Sequence, residues 1–276
     1  MMKFIIGIDV GGSTTKIVGY NKKCELINVL CVTAKDPVTS VYGALGRFLS
    51  ENNIELNNIC KIILTGVGAS KFSGDIYGIS TSYASEFEAI GLGGLELSQK
   101  ESAIVVSVGT GTAFVRADKN NIKHLGGSGV GGGTLVGLCS KLINTENFDT
   151  ILQFAKDGDL AKVDLTVGDI SKKEIENLPS DMTAANFGKI DDDACNSDLV
   201  LGTLNLIFQT IGMLCVFACI NDEITDVVIT GMLTNVPQIN DVLARIEEMH
   251  NIKFIIPEKA MYSTAIGAAL TYILKK

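Results

Sequence analysis

The chain has no cluster of basic residues and no closely paired cysteines, and these absences argue against two classes of site. It carries 23 Lys and Arg against 31 Asp and Glu, a net charge of −8, whereas a nucleic-acid-binding surface needs a basic face. None of its seven cysteines has the C-x-x-C spacing of a zinc or dithiol redox site. We expect no nucleic-acid partner and seven reduced thiols, used mainly as small core residues.

Proline is scarce, with four residues, while glycine is abundant, with 29. This composition fits an α/β protein with many tight turns. A composition of 46% hydrophobic and 20% charged residues argues against disorder. No low-complexity segment and no linker rich in Pro, Gly and Ser divides the 276 residues, so we expect either one large domain or two closely packed ones.

Two apolar segments, the N-terminus and residues 201–220, are candidates for membrane-directing sequences. The apolar stretch before Asp9 is too short for a signal peptide. Leu201–Ile220 has 20 residues without a charge, enough to span a bilayer, but it contains Asn205 and Gln209 and lacks flanking basic residues that would set an orientation. A buried core or dimer-interface helix is the favoured interpretation and a membrane helix the alternative. We expect a cytoplasmic protein without a membrane partner.

The pattern of apolar and turn residues indicates the same β-hairpin twice. In each, a turn of Gly, Ser and Thr joins two strands directly, near residues 9–16 and again near residues 107–114. Such a repeat implies two related α/β halves with facing turns. The other predicted elements are strands at 25–33, 59–65 and 227–230, helices at 38–52, 82–98, 134–142 and 263–274, and two long helices within 183–221.

The first turn, GIDVGGSTTK at residues 7–16, contains the groups that bind a phosphate chain. Its paired glycines let backbone amides point into one concavity, its Ser and Thr add hydroxyl donors, and Lys16 adds a cation. Because a phosphate repels a carboxylate, we expect Asp9 to hold Mg²⁺, which then bridges the phosphates. Taken alone, this segment is equally compatible with an ordinary hairpin turn.

The second turn strengthens the phosphate interpretation. In VSVGTGTAF (106–114), glycines alternate with threonines, again directly between two strands. A third segment, VVITGMLTN (227–235), is a strand ending in glycine, which lets a flat base pass close to the backbone. Two hairpins of this chemistry, one in each half, predict a clamp for the triphosphate of ATP.

These three segments, in this order, resemble the phosphate-1, phosphate-2 and adenosine motifs of the actin/hexokinase/acetate-kinase superfamily, and STAIGAALTY (263–272) resembles its second connecting segment. The chain further resembles a bacterial type II pantothenate kinase in EFEAIGLG (86–93), VGTGT (108–112), LGGSGVGGGT (125–134) and DMTAANFG (181–188). The resemblance implies an α/β fold of two related actin/ribonuclease-H-like domains, with mixed sheets flanking an ATP cleft. Residues 1–98 with 263–276 would form the first domain, and residues 99–262 the second, which carries dimerisation helices.

The resemblance also implies a homodimer that phosphorylates the primary hydroxyl of pantothenate with ATP and Mg²⁺, the first step of coenzyme A synthesis. Three alternatives remain open. A kinase of this fold could act on another small alcohol or an amino sugar, or the protein could be a regulatory nucleotide-binding module with little kinase activity. The third is an ATPase that activates 2-hydroxyacyl-CoA dehydratases, a family that needs paired cysteines near the second turn. Here the next cysteine is Cys139.

Phosphoryl transfer to an alcohol needs a carboxylate near the hydroxyl. Glu86 and Glu88 lie about 200° apart around a helix, so only one can face a cleft, and the resemblance selects Glu86 as the catalytic base. Amides at the start of the helix after the glycine run would be free to bind an anion. By the resemblance, the residues near ATP are Asp9, Val10, Gly11, Gly12, Ser13, Thr14, Thr15, Lys16, Thr110, Gly132, Gly133, Thr134, Leu135, Val136, Gly231, Met232 and Phe148. For the aromatic ring at 148, plain core packing is the alternative.

Two residues at the implied substrate site depart from the family pattern. His124 stands where these kinases carry an arginine, and an imidazole cannot make the forked contacts of a guanidinium. Ala113 stands where a serine is expected, which removes a hydroxyl donor. Either the pantothenate site is rearranged or the acceptor is a different alcohol.

Overall fold

The computed structural model describes residues 3–33, 36–173, 179–220 and 222–275, which contain two five-stranded mixed sheets and a small two-stranded one. The strands are Phe4–Val10 (β1), Thr15–Tyr20 (β2), Leu26–Val32 (β3), Ile59–Thr65 (β4), Thr81–Tyr83 (β5), Ser102–Val108 (β6), Thr112–Asp118 (β7), Ile122–Ser128 (β8), Leu165–Thr166 (β9), Thr183–Ala185 (β10), Asp226–Thr230 (β11) and Lys253–Ile255 (β12). The α-helices are Pro37–Glu51 (α1), Glu86–Ser98 (α2), Gly132–Leu142 (α3), Phe148–Phe154 (α4), Val167–Ile170 (α5), Asn196–Cys219 (α6), Gln238–Met249 (α7) and Ser263–Ile273 (α8).

The second large sheet repeats the strand order of the first. The first sheet runs β3-β2-β1-β4-β5, with β1–β2 and β2–β3 antiparallel and β1–β4 and β4–β5 parallel. The second runs β8-β7-β6-β11-β12, with β6–β7 and β7–β8 antiparallel and β6–β11 and β11–β12 parallel. Every strand of the first sheet therefore has a counterpart in the second, which confirms the predicted repeat and the mixed α/β fold.

Both faces of each large sheet are covered by helices. Along β1, Ile6, Ile8 and Val10 belong to one core cluster with α1, whereas Ile5 belongs to another with α8. The second sheet packs against α2 on one face and against α3, α6 and α7 on the other. Successive side chains of a strand point to opposite faces, so strands buried on both faces appear in the sequence as nearly continuous apolar runs.

The last helix of each repeat covers the sheet of the other repeat. Helix α2 follows β5 but packs Ile90 and Leu95 against the second sheet. Helix α8 follows β12 but packs Ala265 and Ala269 in the core of the first sheet. The predicted division into 1–98 with 263–276 and 99–262 stays a prediction, and its parts at 1–2, 34–35, 174–178, 221 and 276 lie outside the described residues.

Glycines allow α2 and α8 to contact each other backbone to backbone. A Cβ added at Gly267 of α8 would lie 1.8 Å from the carbonyl oxygen of Ala89, and one added at Gly93 of α2 would lie 1.9 Å from that of Ser263. Real Cβ atoms do not approach backbone oxygens so closely, so these positions require residues without a side chain. The two helices thus form the central contact between the halves.

The region predicted to hold two long helices, 183–221, contains only one long helix within its described residues 183–220. It begins with the short strand β10, and α6 starts at Asn196. The intervening segment contains Asp191–Asp193 and has no apolar periodicity that a helix could bury. Helix α6 starts where the apolar pattern does, with the Asp198 carboxylate accepting a hydrogen bond from the Cys195 amide at 2.8 Å.

Helix α6 is long and apolar enough to cross a membrane, and 61% of its apolar window is buried inside the protein. It contributes Val200, Leu204 and Phe208 to the larger core of the second half. This packing matches the favoured interpretation of a buried core helix. All seven cysteines are free thiols, three of them buried, but Cys24 and Cys195 are exposed, so the core role predicted for the cysteines fits only part of the set.

Candidate active site

Asp9 and Lys16 form a buried pair at the end of the first hairpin. They are direct partners in the register of β1 and β2, so their side chains share one face of the sheet. Lys16 Nζ lies 3.4 Å from Asp9 Oδ2, and each residue is 7% exposed. Burial raises the pKa of the Asp9 carboxyl, and the Lys16 ammonium opposes that rise. The pair places one carboxyl group and one amino group beside the turn that resembles a phosphate-binding loop.

The neighbours Val10 and Thr15 point to the opposite face, so their side chains are not available to a nucleotide, and a backbone contact of these two residues with ATP stays a prediction. Val10 is fully buried in the core cluster under α1. Thr15 is 2% exposed, and its Oγ1 accepts a hydrogen bond from Ser40 Oγ at 2.8 Å. Strand alternation explains the result, because residues one position away from Asp9 and Lys16 must face the other side.

The turns of the two hairpins face each other. In the first turn, the Gly11 amide donates to the Thr14 carbonyl at 3.0 Å, while Gly12 and Ser13 stay exposed at the tip. A Cβ added at Gly12 would lie 3.4 Å from Thr110 Oγ1 in the second turn. The facing arrangement expected from the sequence is therefore present, and a small residue at 12 leaves space between the turns.

The second turn is fastened to the start of α3. The Gly132 amide donates to the Gly109 carbonyl and the Gly133 amide donates to the Thr110 carbonyl, both at 2.8 Å. The expectation that the first amides of this helix are free for an anion is therefore wrong for these two residues, because carbonyls of the second turn already occupy them. They hold the turn in place instead.

The other predicted residues of α3 differ in exposure. Leu135 is fully buried in the core of the second half, so its side chain is not available to a nucleotide. Thr134 Oγ1 accepts from the Gly131 amide and donates to the Gly129 carbonyl, which rigidifies the glycine run. Val136 is partly buried against the same core, and so is the ring of Phe148, the first residue of α4.

The third segment lies directly behind the second turn. Gly231 has a φ of +96°, and a Cβ there would lie 2.5 Å from the Val108 carbonyl oxygen, so only glycine fits both the backbone and the space. Met232 follows it, half-buried, in a short helical turn. The next residue, Leu233, would be 3.8 Å from a Cβ at Gly132. The segment that resembles an adenosine motif (227–235) and the glycine-rich start of α3 are therefore neighbours.

Glu86 is the first residue of α2 and is half-buried. Burial raises the pKa of its carboxyl, repulsion from Asp9 raises it further, and Lys16 lowers it. Glu86 therefore lies within electrostatic range of the Asp9–Lys16 pair. Glu88 instead has one oxygen 3.5 Å from Lys275 Nζ at the surface. The structure thus separates the two glutamates as the helix geometry predicts.

His124 and Ala113 lie on the face of the second sheet that α2 covers. His124 pairs with Val115 in the β7–β8 register, and Val115 belongs to the cluster under α2. The His124 ring stacks on Phe87, with centroids 3.7 Å apart and an interplanar angle of 13°. Because Phe87 follows Glu86 directly, the stack joins the sheet to the first turn of α2.

Two positions of this site were not anticipated. Phe87 was not predicted, because nothing in the sequence around an exposed aromatic residue of a helix indicates that its ring stacks on a residue of another element. Gly66, at the end of β4, has a φ of +89°, and a Cβ there would lie 2.6 Å from Asp9 Oδ1. The sequence could have indicated this position, because Gly66 directly follows β4, and β4 pairs with the strand that ends near Asp9. It leaves the space around the Asp9 carboxylate open.

Among solved structures with this fold, one holds bound ADPNP and another is a hexokinase. An activator of 2-hydroxyisocaproyl-CoA dehydratase from Clostridium difficile with bound ADPNP matches 99% of this chain and 95% of its own, with a TM-score of 0.69 and 15% identity. A ROK hexokinase from Thermus thermophilus matches 99% of this chain and 100% of its own, with a TM-score of 0.57 and 12% identity. At such identities these likenesses show the fold alone.

Sequence relatives are more specific. A type II pantothenate kinase from Bacillus cereus is 30% identical over 98% of this chain and 98% of its own length. Another from Bacillus anthracis is 30% identical over the whole of both chains. The Fumble family model matches residues 97–270. Relatives that cover the full length and a family model that covers more than half of it agree: the chain belongs to the Fumble family of type II pantothenate kinases.

Proposed function

We propose that this protein is an ATP-dependent kinase that phosphorylates pantothenate to 4′-phosphopantothenate, the first step of coenzyme A synthesis. The observation that carries the proposal is the approach of the two hairpin turns, where a Cβ added at Gly12 would lie 3.4 Å from Thr110 Oγ1. The Asp9–Lys16 pair lies at the end of one hairpin. The charge of Asp9 raises the pKa of Glu86, and the charge of Lys16 lowers it. Full-length relatives named as pantothenate kinases support this activity.

In this proposal, the chain mainly positions and polarises its substrates, as expected for phosphoryl transfer. The exposed tips of the two turns hold the phosphates, and Lys16 offsets their charge. Glu86 accepts the proton of the pantothenate hydroxyl as that oxygen bonds to the γ-phosphorus, while the bond from the γ-phosphorus to the bridging oxygen of ADP breaks and ADP leaves. The α2 helix places the Glu86 carboxylate at its first residue, while the Phe87–His124 stack fixes that turn against the second sheet.

Mg²⁺ is proposed to act with Asp9. Among the described residues no group of three or more His, Cys, Asp or Glu side chains could hold a metal by itself. A single carboxylate suits Mg²⁺, which keeps several waters and is bound largely through substrate phosphates. Gly66 leaves room around Asp9 Oδ1. When bound, the ion neutralises charge on the phosphates.

We further propose a cytoplasmic homodimer. Phe217 and Ile220, at the end of α6, are 59% and 64% exposed, and Leu138 and Leu142 of α3 are 36% and 37% exposed. Exposed large apolar side chains on two core helices suit a self-association surface. A solution mass equal to one chain of 29.3 kDa would contradict the dimer.

The decisive test is ADP release with Mg·ATP and pantothenate. We expect release that depends on pantothenate, and a loss of about 100-fold or more in Asp9→Asn, because that variant keeps the shape but loses the charge that the metal needs. Asp241→Asn is the matched control, because it removes the same charge from an exposed position in the first turn of α7. ADP release without an acceptor would instead support an ATPase, and nucleotide binding without ADP release would support a regulatory module.

The second candidate is the same chemistry on a different alcohol, which His124 and Ala113 favour. If His124 lies at the acceptor site, His124→Arg restores a forked donor for the pantothenate carboxylate. We expect the KM for pantothenate to fall about tenfold with kcat within about threefold, since one charge-assisted contact is worth this much. Lys123→Arg is the control, because Lys123 points to the other face of β8. An unchanged KM in His124→Arg would place the acceptor elsewhere.

A further inference from the structure

A cavity of about 440 Å³ lies at the opposite end of α2 from Glu86. Helix α2 has 13 residues, so its two ends are about 20 Å apart. The cavity is bounded by the β2–β3 turn, the end of α2, and the segment before α8 with the start of that helix. Its lining residues are Tyr20, Cys24, Glu25, Leu26, Glu96, Leu97, Gln99, Glu258, Lys259 and Ile266. None of them belongs to the candidate active site.

The lining of the cavity combines aliphatic side chains with one phenol group and several polar residues. Ile266 is fully buried, and Leu26 and Leu97 are half-buried. Tyr20 is 4% exposed and lines the cavity, yet its hydroxyl has no hydrogen-bond partner in the part of the chain that the structure describes. Burial, with Glu96 and Cys24 nearby, raises the pKa of this phenol, so it stays protonated. A hydroxyl that opens into a cavity without a protein partner is a place where a ligand can form a hydrogen bond.

The rim of the cavity is acidic. Glu25, Glu96 and Glu258 surround it, against the single cation Lys259. Within residues 3–33, 36–173, 179–220 and 222–275, none of these three carboxylates forms an ion pair, and Glu25 is held only by the amide of Asn21 at 2.8 Å. Carboxylates that lack cationic partners beside aliphatic side chains attract a ligand that carries its own positive charge.

We propose that this cavity binds a small organic cation, an aliphatic chain bearing two or more ammonium groups. Its methylene groups lie on Leu26 and Leu97, and its ammonium groups donate to the rim carboxylates and to the Tyr20 hydroxyl oxygen. The volume lies within the range of small-ligand sites. The proposal is independent of the kinase activity, because it concerns binding at a separate cavity and can be measured without turnover.

Titration calorimetry with spermidine as the probe tests the proposal. We expect one saturable site in the intact protein, weakened about tenfold in the double variant Glu96→Gln/Glu258→Gln and also weakened in Tyr20→Phe. The matched control is Glu55→Gln/Glu248→Gln, which removes the same charge from exposed positions away from the cavity. Absence of saturable binding, or equal weakening in the control, would overturn the proposal.

The reactivity of a thiol that lines the cavity tests independently whether the ligand binds there. Cys24 lines the cavity and Cys195 is exposed elsewhere. Alkylation by N-ethylmaleimide, followed by peptide mass spectrometry, should slow at Cys24 at least about fivefold with saturating spermidine, while Cys195 keeps its rate at matched ionic strength. Protection of both thiols, of neither, or equal protection by Mg²⁺ would contradict a site for an organic cation in this cavity.

Discussion

Replacing Glu86 by glutamine is expected to lower kcat about 100-fold or more while Mg·ATP still binds with nearly unchanged affinity. Glutamine keeps the size of the side chain but cannot accept the proton of the attacking hydroxyl. The half-buried position at the first residue of α2 and the influence of Asp9 and Lys16 motivate this expectation. Steady-state kinetics with pantothenate gives kcat, and calorimetry gives the ATP affinity.

Glu88→Gln is the matched control, because Glu88 lies two residues away but pairs with Lys275 at the surface. Its kcat should remain within about twofold of the parent, as expected for the loss of one exposed ion pair. Near-normal turnover in Glu86→Gln would remove Glu86 from the chemistry. Loss of ATP binding in the same variant would assign it to the nucleotide site instead.

The pH profile offers an independent check on the same residue. A general base works in its ionised form, and burial and Asp9 raise the pKa of Glu86 above the ordinary value of 4.5. Activity should therefore fall as pH drops through that raised pKa. The acid limb of the kcat/KM profile should lie at a higher pH than a glutamate with an unshifted pKa would give. The residual activity of Glu86→Gln should lack this limb.

Gly267→Ala is expected to destabilise the protein by about 3 kcal/mol or more, or to prevent folding. The new methyl group would lie 1.8 Å from the Ala89 carbonyl oxygen, and the obstacle is backbone, so α2 and α8 must separate to make room. Chemical denaturation measures the change in the free energy of unfolding. Thermal unfolding should show a decrease in Tm of about 6 °C or more.

Gly46→Ala is the matched control for that substitution. Gly46 lies on the exposed face of α1, and no atom is within 4 Å of a Cβ added there. Alanine is the better helix former, so this change should stabilise the protein by about 0.5–1 kcal/mol. Equal stability of Gly267→Ala and the parent would mean that α2 and α8 are not packed this closely.

The local chemistry of the site could be predicted from the sequence because it is carried by short segments. Strands resume directly after the turns at residues 9–16 and 107–114, which distinguishes a hairpin from a strand–turn–helix motif and so predicts a repeat. The strand order of both sheets confirms it. The choice of Glu86 over Glu88 came from the resemblance, and helical spacing explains why only one of them can face the cleft.

Features that depend on distant contacts could not be predicted in the same way. The amides of Gly132 and Gly133 are occupied by carbonyls more than 20 residues earlier, and no local pattern reveals that. The orientation of Val10 and Thr15, by contrast, follows from strand alternation and was available in principle. The stack of Phe87 on His124 joins residues on different elements, which only the tertiary structure shows.

The exchange of final helices makes the two halves depend on each other for folding. Without α8 the first sheet leaves its Ile5 face open to water, and without the second sheet Ile90 of α2 has nothing to cover it. The first half can therefore not complete its core until residues of α8 have been synthesised. On the ribosome, the first half must wait for almost the entire chain before it becomes stable.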